Sequence, residues 1–159
     1  MKQTRCVWLL LCLYLLLALS SCRAGRVPGL DWNPEEMVEL TVYQTTSYFE
    51  STCKTTQDQT LIAQTAKALQ KMRVKREMRT DDGVKFEGGL TFTFAFTRAD
   101  SSQEILELLE DTYLYVEAGP FVLATPPYPG VGELWDALPG DPQPVDAVPT
   151  PGSYPQAEE

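Results

Sequence analysis

The stretch 90–97 reads Leu-Thr-Phe-Thr-Phe-Ala-Phe-Thr. In an extended chain Leu90, Phe92, Phe94 and Phe96 fall on one side, and Thr91, Thr93, Ala95 and Thr97 on the other. A helical period would scatter the phenylalanines around an axis, so the alternation demands a strand with one greasy face. The opposite face is small and β-branched rather than charged, which suits a middle strand, paired on both edges and lightly covered on its threonine side. A strand of this kind needs a sheet around it and a roof over its phenylalanines.

The roof is legible upstream. Leu61, Ile62, Thr65, Ala66, Leu69 and Met72 recur at spacings of three and four, with Gln64, Lys67, Gln70 and Lys71 facing outward. Thr55 or Thr56 is placed to cap this helix, and Lys67, Lys71 and Arg73 crowd its C-terminal end, where they complement the helix dipole. The expected fold class is therefore α+β, an antiparallel sheet with one principal amphipathic helix packed on one face.

The remaining elements follow by pattern. Asn33-Pro34-Glu35-Glu36 has a capping residue before a proline and predicts one helical turn, with Trp32 beside it as an apolar plug. Val38, Leu40 and Val42 alternate with Glu39, Thr41 and Tyr43, and predict a first strand running through Gln44 to Phe49 with a bulge or bent end. The segment 54–59 breaks the pattern. Asp81-Asp82-Gly83 and Glu87-Gly88-Gly89 are turn signals, as is 98–102. Asp111 to Val116 alternates as a strand, 117–120 turns it, and Phe121 to Leu123 returns as its hairpin partner. Val131 to Leu138 predicts a short closing helix with Leu134, Trp135 and Leu138 inward. Gln103 to Glu110 suits either a two-turn helix or a strand.

At 159 residues the chain has room for one modest domain plus extras. Lys2 and Arg5 precede the uncharged apolar run Val7 to Leu19, the order and composition of a secretory signal peptide. The run falls short of the roughly 20 apolar residues that span a bilayer. Two readings of its processing stand. Leu19-Ser20-Ser21-Cys22 resembles the lipobox of bacterial lipoproteins, which implies cleavage before Cys22 and acylation of that cysteine, including palmitate. Alternatively, Ala18-Leu19-Ser20 serves an ordinary signal peptidase, the protein is secreted, and Cys22 stays a thiol able to pair with Cys53. The expected layout is 1–21 signal peptide, 22–36 lipidated cysteine and flexible tether, 37–138 one α+β domain, and 139–159 an acidic, proline-rich tail too poor in apolar residues to order itself.

Charge and composition narrow the function. A formal net charge of -9 argues against nucleic acid as a partner. No histidine is present, so a catalytic thiol or serine would lack its usual base, leaving only serine–lysine chemistry with Lys54 or Lys85. Asp81, Asp82, Glu87 and Asp100 lie near glycines, but their spacing matches no calcium loop, and they read as solvated turn acids. No cofactor or metal is expected. Two patches remain as candidate binding surfaces. Lys71, Arg73, Lys75, Arg76 and Arg79 form a basic run, read as a short edge strand that could dock an acidic envelope protein or an anionic surface polymer. Tyr43, Tyr113 and Tyr115 could form an aromatic patch, or simply cover the second side of the sheet.

The segments Ala66-Lys67-Ala68-Leu69-Gln70, Gly88 to Phe94 and Asp111 to Val116 together resemble small, poorly characterised domains in lipoproteins and membrane-tethered proteins of Gram-positive bacteria. The resemblance spans roughly 38–138. It implies a strand rather than a helix at Gln103 to Glu110 and a surface location, and it supplies no catalytic residue. The expectation that results is an extracytoplasmic, lipid-anchored binding or structural module. The alternative is an accessory or inhibitory subunit of a cell-envelope enzyme, with a direct enzyme third.

Overall fold

The structure, a computed structural model, describes residues 24–46, 50–79, 89–109 and 111–152. The leader and Cys22, the acids Asp81, Asp82 and Glu87, Lys85, the end of the predicted first strand at 47–49, and 153–159 lie outside the described residues.

Among the described residues nine strands form one antiparallel sheet: β1 (Gly25–Arg26), β2 (Met37–Thr45), β3 (Ser51–Thr56), β4 (Arg73–Glu77), β5 (Thr91–Arg98), β6 (Gln103–Leu109), β7 (Tyr113–Val116), β8 (Gly119–Thr125) and β9 (Gln143–Val145). Their order across the sheet is β1-β4-β8-β7-β6-β5-β2-β3-β9. A 3-10 turn, Pro34–Glu36, precedes β2, and its Asn33 cap accepts a hydrogen bond from the Glu35 N–H. The main helix α1 (Gln59–Gln70) joins β3 to β4, which lie toward opposite edges, so it must cross the sheet. A second helix, α2 (Val131–Asp136), buries Val131, Leu134 and Trp135. The class is α+β, as the periodicities predict.

The helix-facing side is a set of apolar rows. Val42, Phe94, Leu106 and Val116 are register partners across four strands, as are Phe92, Leu108, Leu114 and Phe121. Phe94 and Phe96 have no solvent exposure. The roof is divided between three elements. Trp32 lies over Phe96 with ring centroids 4.6 Å apart, and Trp135 meets Phe92 edge-on at 6.2 Å. Ile62, Ala66, Ala68 and Leu69 of α1 join the same core cluster, with the helix packed most closely on β2 and the 3-10 turn.

Several expectations need correction. Composition marks 24–33 as a tether, yet Gly25 and Arg26 pair with β4, and Val27, Leu30 and Trp32 enter the core. Their spacing is irregular because they enter the core from irregular chain rather than line one face of a helix or strand. The register shifts between Met37 and Glu39, so Met37 is fully buried and Val38 is 43% exposed. This bulge inverts the alternation predicted for Val38. Leu90 is likewise 48% exposed, because β5 begins only at Thr91. The pattern-breaking segment 54–59 contains the end of β3, and Asp58, not Thr55 or Thr56, caps α1. Gln103–Leu109 is a strand.

The threonine face of β5 is not lightly covered: Thr91, Thr93 and Ala95 are all buried. Thr93 stands between Tyr43 and Glu107 in the same cross-strand row, and small side chains sink beneath taller neighbours. Composition also predicts no order after Gly140, but Gln143–Val145 pairs with β3 at its outer edge. From there the chain reaches Gly152, whose N–H donates to Glu117 Oε2 at 3.1 Å, in the turn between β7 and β8. Five strand spacings separate β9 from β7, up to about 24 Å, close to the limit for seven extended residues. The tail's prolines and scarce apolar groups do not prevent order, because the sheet edge supplies backbone partners and Pro151 is buried.

Candidate binding cleft

The cleft is built where the N-terminal segment, the end of α1 and the start of β4 meet. Antiparallel pairing of β1 with β4 sets Arg26 directly opposite Arg73. Lys67 and Lys71 reach the same place from the last turn of α1, and Val27, Leu30 and Trp32 supply an apolar wall. Gln70 Nε2 donates to the Trp32 carbonyl at 2.7 Å and ties that wall to the helix. The cleft measures about 470 Å³. Four cations line it against a single acid, Asp31, which forms no ion pair with any of them among the described residues.

Two donors in the wall stand out. Arg73 Nη1 donates to the carbonyls of Lys71 and Met72, at 3.0 and 2.9 Å, which fixes the guanidinium and leaves its other N–H groups available. The Trp32 indole Nε1 is buried and has no hydrogen-bond acceptor.

The predicted basic run is split by this geometry. Lys71 and Arg73 enter the cleft, whereas Lys75, Arg76 and Arg79 are exposed along and beyond β4. The register shift between Val74 and Arg76 leaves Lys75 without a cross-strand partner in β8. β4 is an edge only in part, since the two-residue β1 covers its beginning. Sequence reasoning missed Arg26 as a member, because a two-residue strand has no period to read. Lys67 was visible only as a helix-end charge.

The predicted aromatic residues share the sheet face opposite the helices without forming one open patch. Tyr43 and Tyr115 lie in one row with Thr93 and Glu107 between them, three strand spacings or about 14 Å apart. Tyr115 is 6% exposed, and Tyr113 sits one row along. Burial, first, pushes both the Tyr43 and Tyr115 phenols above their ordinary value. Cys53 and Glu39 add to this at Tyr43, and Glu107 and Tyr113 at Tyr115. Cys53 is a free, half-buried thiol opposite Tyr43.

The other sequence candidates gather no chemistry. Asp100 accepts from the Ser102 N–H and hydroxyl at 2.9 and 2.6 Å, bonds that hold its carboxyl below the usual range in an exposed turn. Lys54 points at α2, with Nζ 5.0 Å from the Trp135 ring centroid and donating to the Trp135 and Leu138 carbonyls. Among the described residues no group of three or more His, Cys, Asp or Glu is placed to hold a metal. No helix of the described residues is long and apolar enough to cross a membrane. A second cleft, about 410 Å³, runs between α1 and α2 under the exposed Tyr128, and shares Lys67 and Lys71 with the first.

Comparison with protein-family models, curated proteins and solved structures finds no match to the chain. What is shown is a small α+β domain that lacks obvious catalytic features among its described residues, in keeping with a non-catalytic module.

Proposed function

We propose that the chain is an exported, lipid-anchored binding module of the cell surface, held by Cys22, which uses the cleft at the end of α1 to engage an anionic component of the envelope. The observation that carries this reading is the gathering of Arg26, Lys67, Lys71 and Arg73 around one opening in a chain of net charge -9. A helix end alone attracts a cation or two. Arg26 comes from a separate strand, and its approach to Arg73 sets like charges opposite each other, an arrangement that costs stability unless something negative relieves it. The basic start, the apolar run and Leu19-Ser20-Ser21-Cys22 support export and acylation, as does the resemblance to surface-tethered domains.

Intact mass of the chain recovered from its producing cell tests the anchor. Diacylglycerol and fatty acyl groups on Cys22, lost in Cys22→Ala, are expected; an unmodified thiol after cleavage at Ser20 would replace the anchor with secretion. For the cleft, Lys67→Glu with Lys71→Glu changes two exposed positions and should abolish sedimentation of the chain with isolated envelopes. Unchanged sedimentation by this folded variant would refute the cleft as the binding surface.

A further inference from the structure

The cleft opens at the foot of the chain's anchor. Arg26 lies four residues after Cys22, so a fully extended connection places its Cα within about 14 Å of the Cys22 Cα. The segment expected to be a loose tether is instead fixed from Gly25 onward by pairing with β4. The domain therefore has little freedom to swing its cationic cleft away from the lipid surface, although the chain as a whole is acidic.

The donors favour one kind of anion. Two guanidinium groups on facing strands present planar forks that match the oxygens of a phosphate, and Lys67 and Lys71 add compact charges at its rim. Trp32 supplies part of the apolar wall beside them. The Arg26 side chain makes no hydrogen bond or ion pair among the described residues, so its whole donor set is open to a ligand.

We infer that the cleft holds the phosphate of an anionic phospholipid headgroup from the membrane that carries the anchor. The inference rests on acylation of Cys22 and on the cleft being the binding surface. The diacylglycerol and fatty acyl chains on Cys22 hold the chain at the bilayer, and a basic patch beside that anchor adds attraction to anionic headgroups.

The test follows the Trp32 indole N–H resonance of the full chain in non-ionic detergent, assigned by its absence in Trp32→Phe. Four probes are compared at matched ionic strength: inorganic phosphate, soluble short-chain phosphatidylglycerol, the corresponding phosphatidylcholine, and poly(glycerol phosphate), with polyglutamate as an acidic-peptide control. The expected result is a saturable shift with phosphatidylglycerol, at least tenfold weaker with inorganic phosphate and absent with phosphatidylcholine. Lys67→Gln with Lys71→Gln should weaken it at least tenfold, and Arg26→Gln should do the same without changing the melting temperature by more than a few degrees. Equal shifts with both lipids, or none with phosphatidylglycerol, overturn the inference. A response to poly(glycerol phosphate) alone would move the phosphate to a surface polymer. A response to polyglutamate alone would leave an anion-binding module standing while removing phosphate as its ligand.

Discussion

Lys54 shows how one side chain can join two elements that the sequence places far apart. It sits on β3 opposite Val42, on the helix-facing side, and its Nζ converges on the Trp135 carbonyl near the end of α2, the Leu138 carbonyl just beyond it, and the face of Trp135. The dipole at a helix C-terminus and the aromatic face both favour a cation here. Lys54→Met keeps the aliphatic stem and removes the charge, and should cost about 1–2 kcal/mol in urea unfolding. A change within a few tenths would show that the ammonium contributes nothing. The buried phenols act in the opposite pH range. Tyr43 and Tyr115 keep their protons in the folded chain above the 10.0 at which the unfolded chain loses them. Their contribution is thus fully present below pH 10.0 and lost as pH rises through the raised values. Stability should fall on the alkaline side of that point, and the fall should be shallower in Tyr43→Phe with Tyr115→Phe; an identical slope would contradict the assignment.

At the scale of the element, α1 is held at its start by Asp58, whose Oδ1 accepts from the Thr60 N–H at 2.7 Å and the Leu61 N–H at 3.4 Å. Asp58→Ala should lower stability by about 1 kcal/mol, measured by denaturant midpoint, whereas Thr55→Ala should leave the helix start intact. The contrast bears on legibility. α1, β5, the β7–β8 hairpin and α2 could all be read from periods that repeat over enough residues to exclude the alternative. β3 could not: Ser51–Thr56 puts Lys54 and the threonines at 52 and 56 on one side and Cys53 and Thr55 on the other, so no hydrophobic contrast marks its faces. Val38 was misassigned because a bulge shifts the alternation by one residue, and no local feature of the sequence announces it. The cleft was half legible for the same reason. Lys71 and Arg73 belong to a visible run, while Arg26 becomes their neighbour only through pairing between strands far apart in the chain.

Across the whole molecule, the sheet's two outer strands are its shortest. β1 has two residues and β9 three, and β9 carries Pro144, which cannot donate to a further strand. Short, interrupted edges discourage pairing with other chains. Ending the chain at Pro142 would remove β9 and the span to Glu117, and leave the donors and acceptors along β3 open. The truncated chain should sediment as larger species than the full one and unfold at lower urea; identical sedimentation and midpoint would mean that the tail protects nothing. The same fixed architecture holds the cationic cleft next to the start of the domain, where an anchor at Cys22 would press it toward negative charge. A crystal of the full chain grown with selenate tests that central claim most directly. Anomalous density between the guanidinium groups of Arg26 and Arg73 is the expected result. An empty cleft, with the two arginines turned apart, would contradict it.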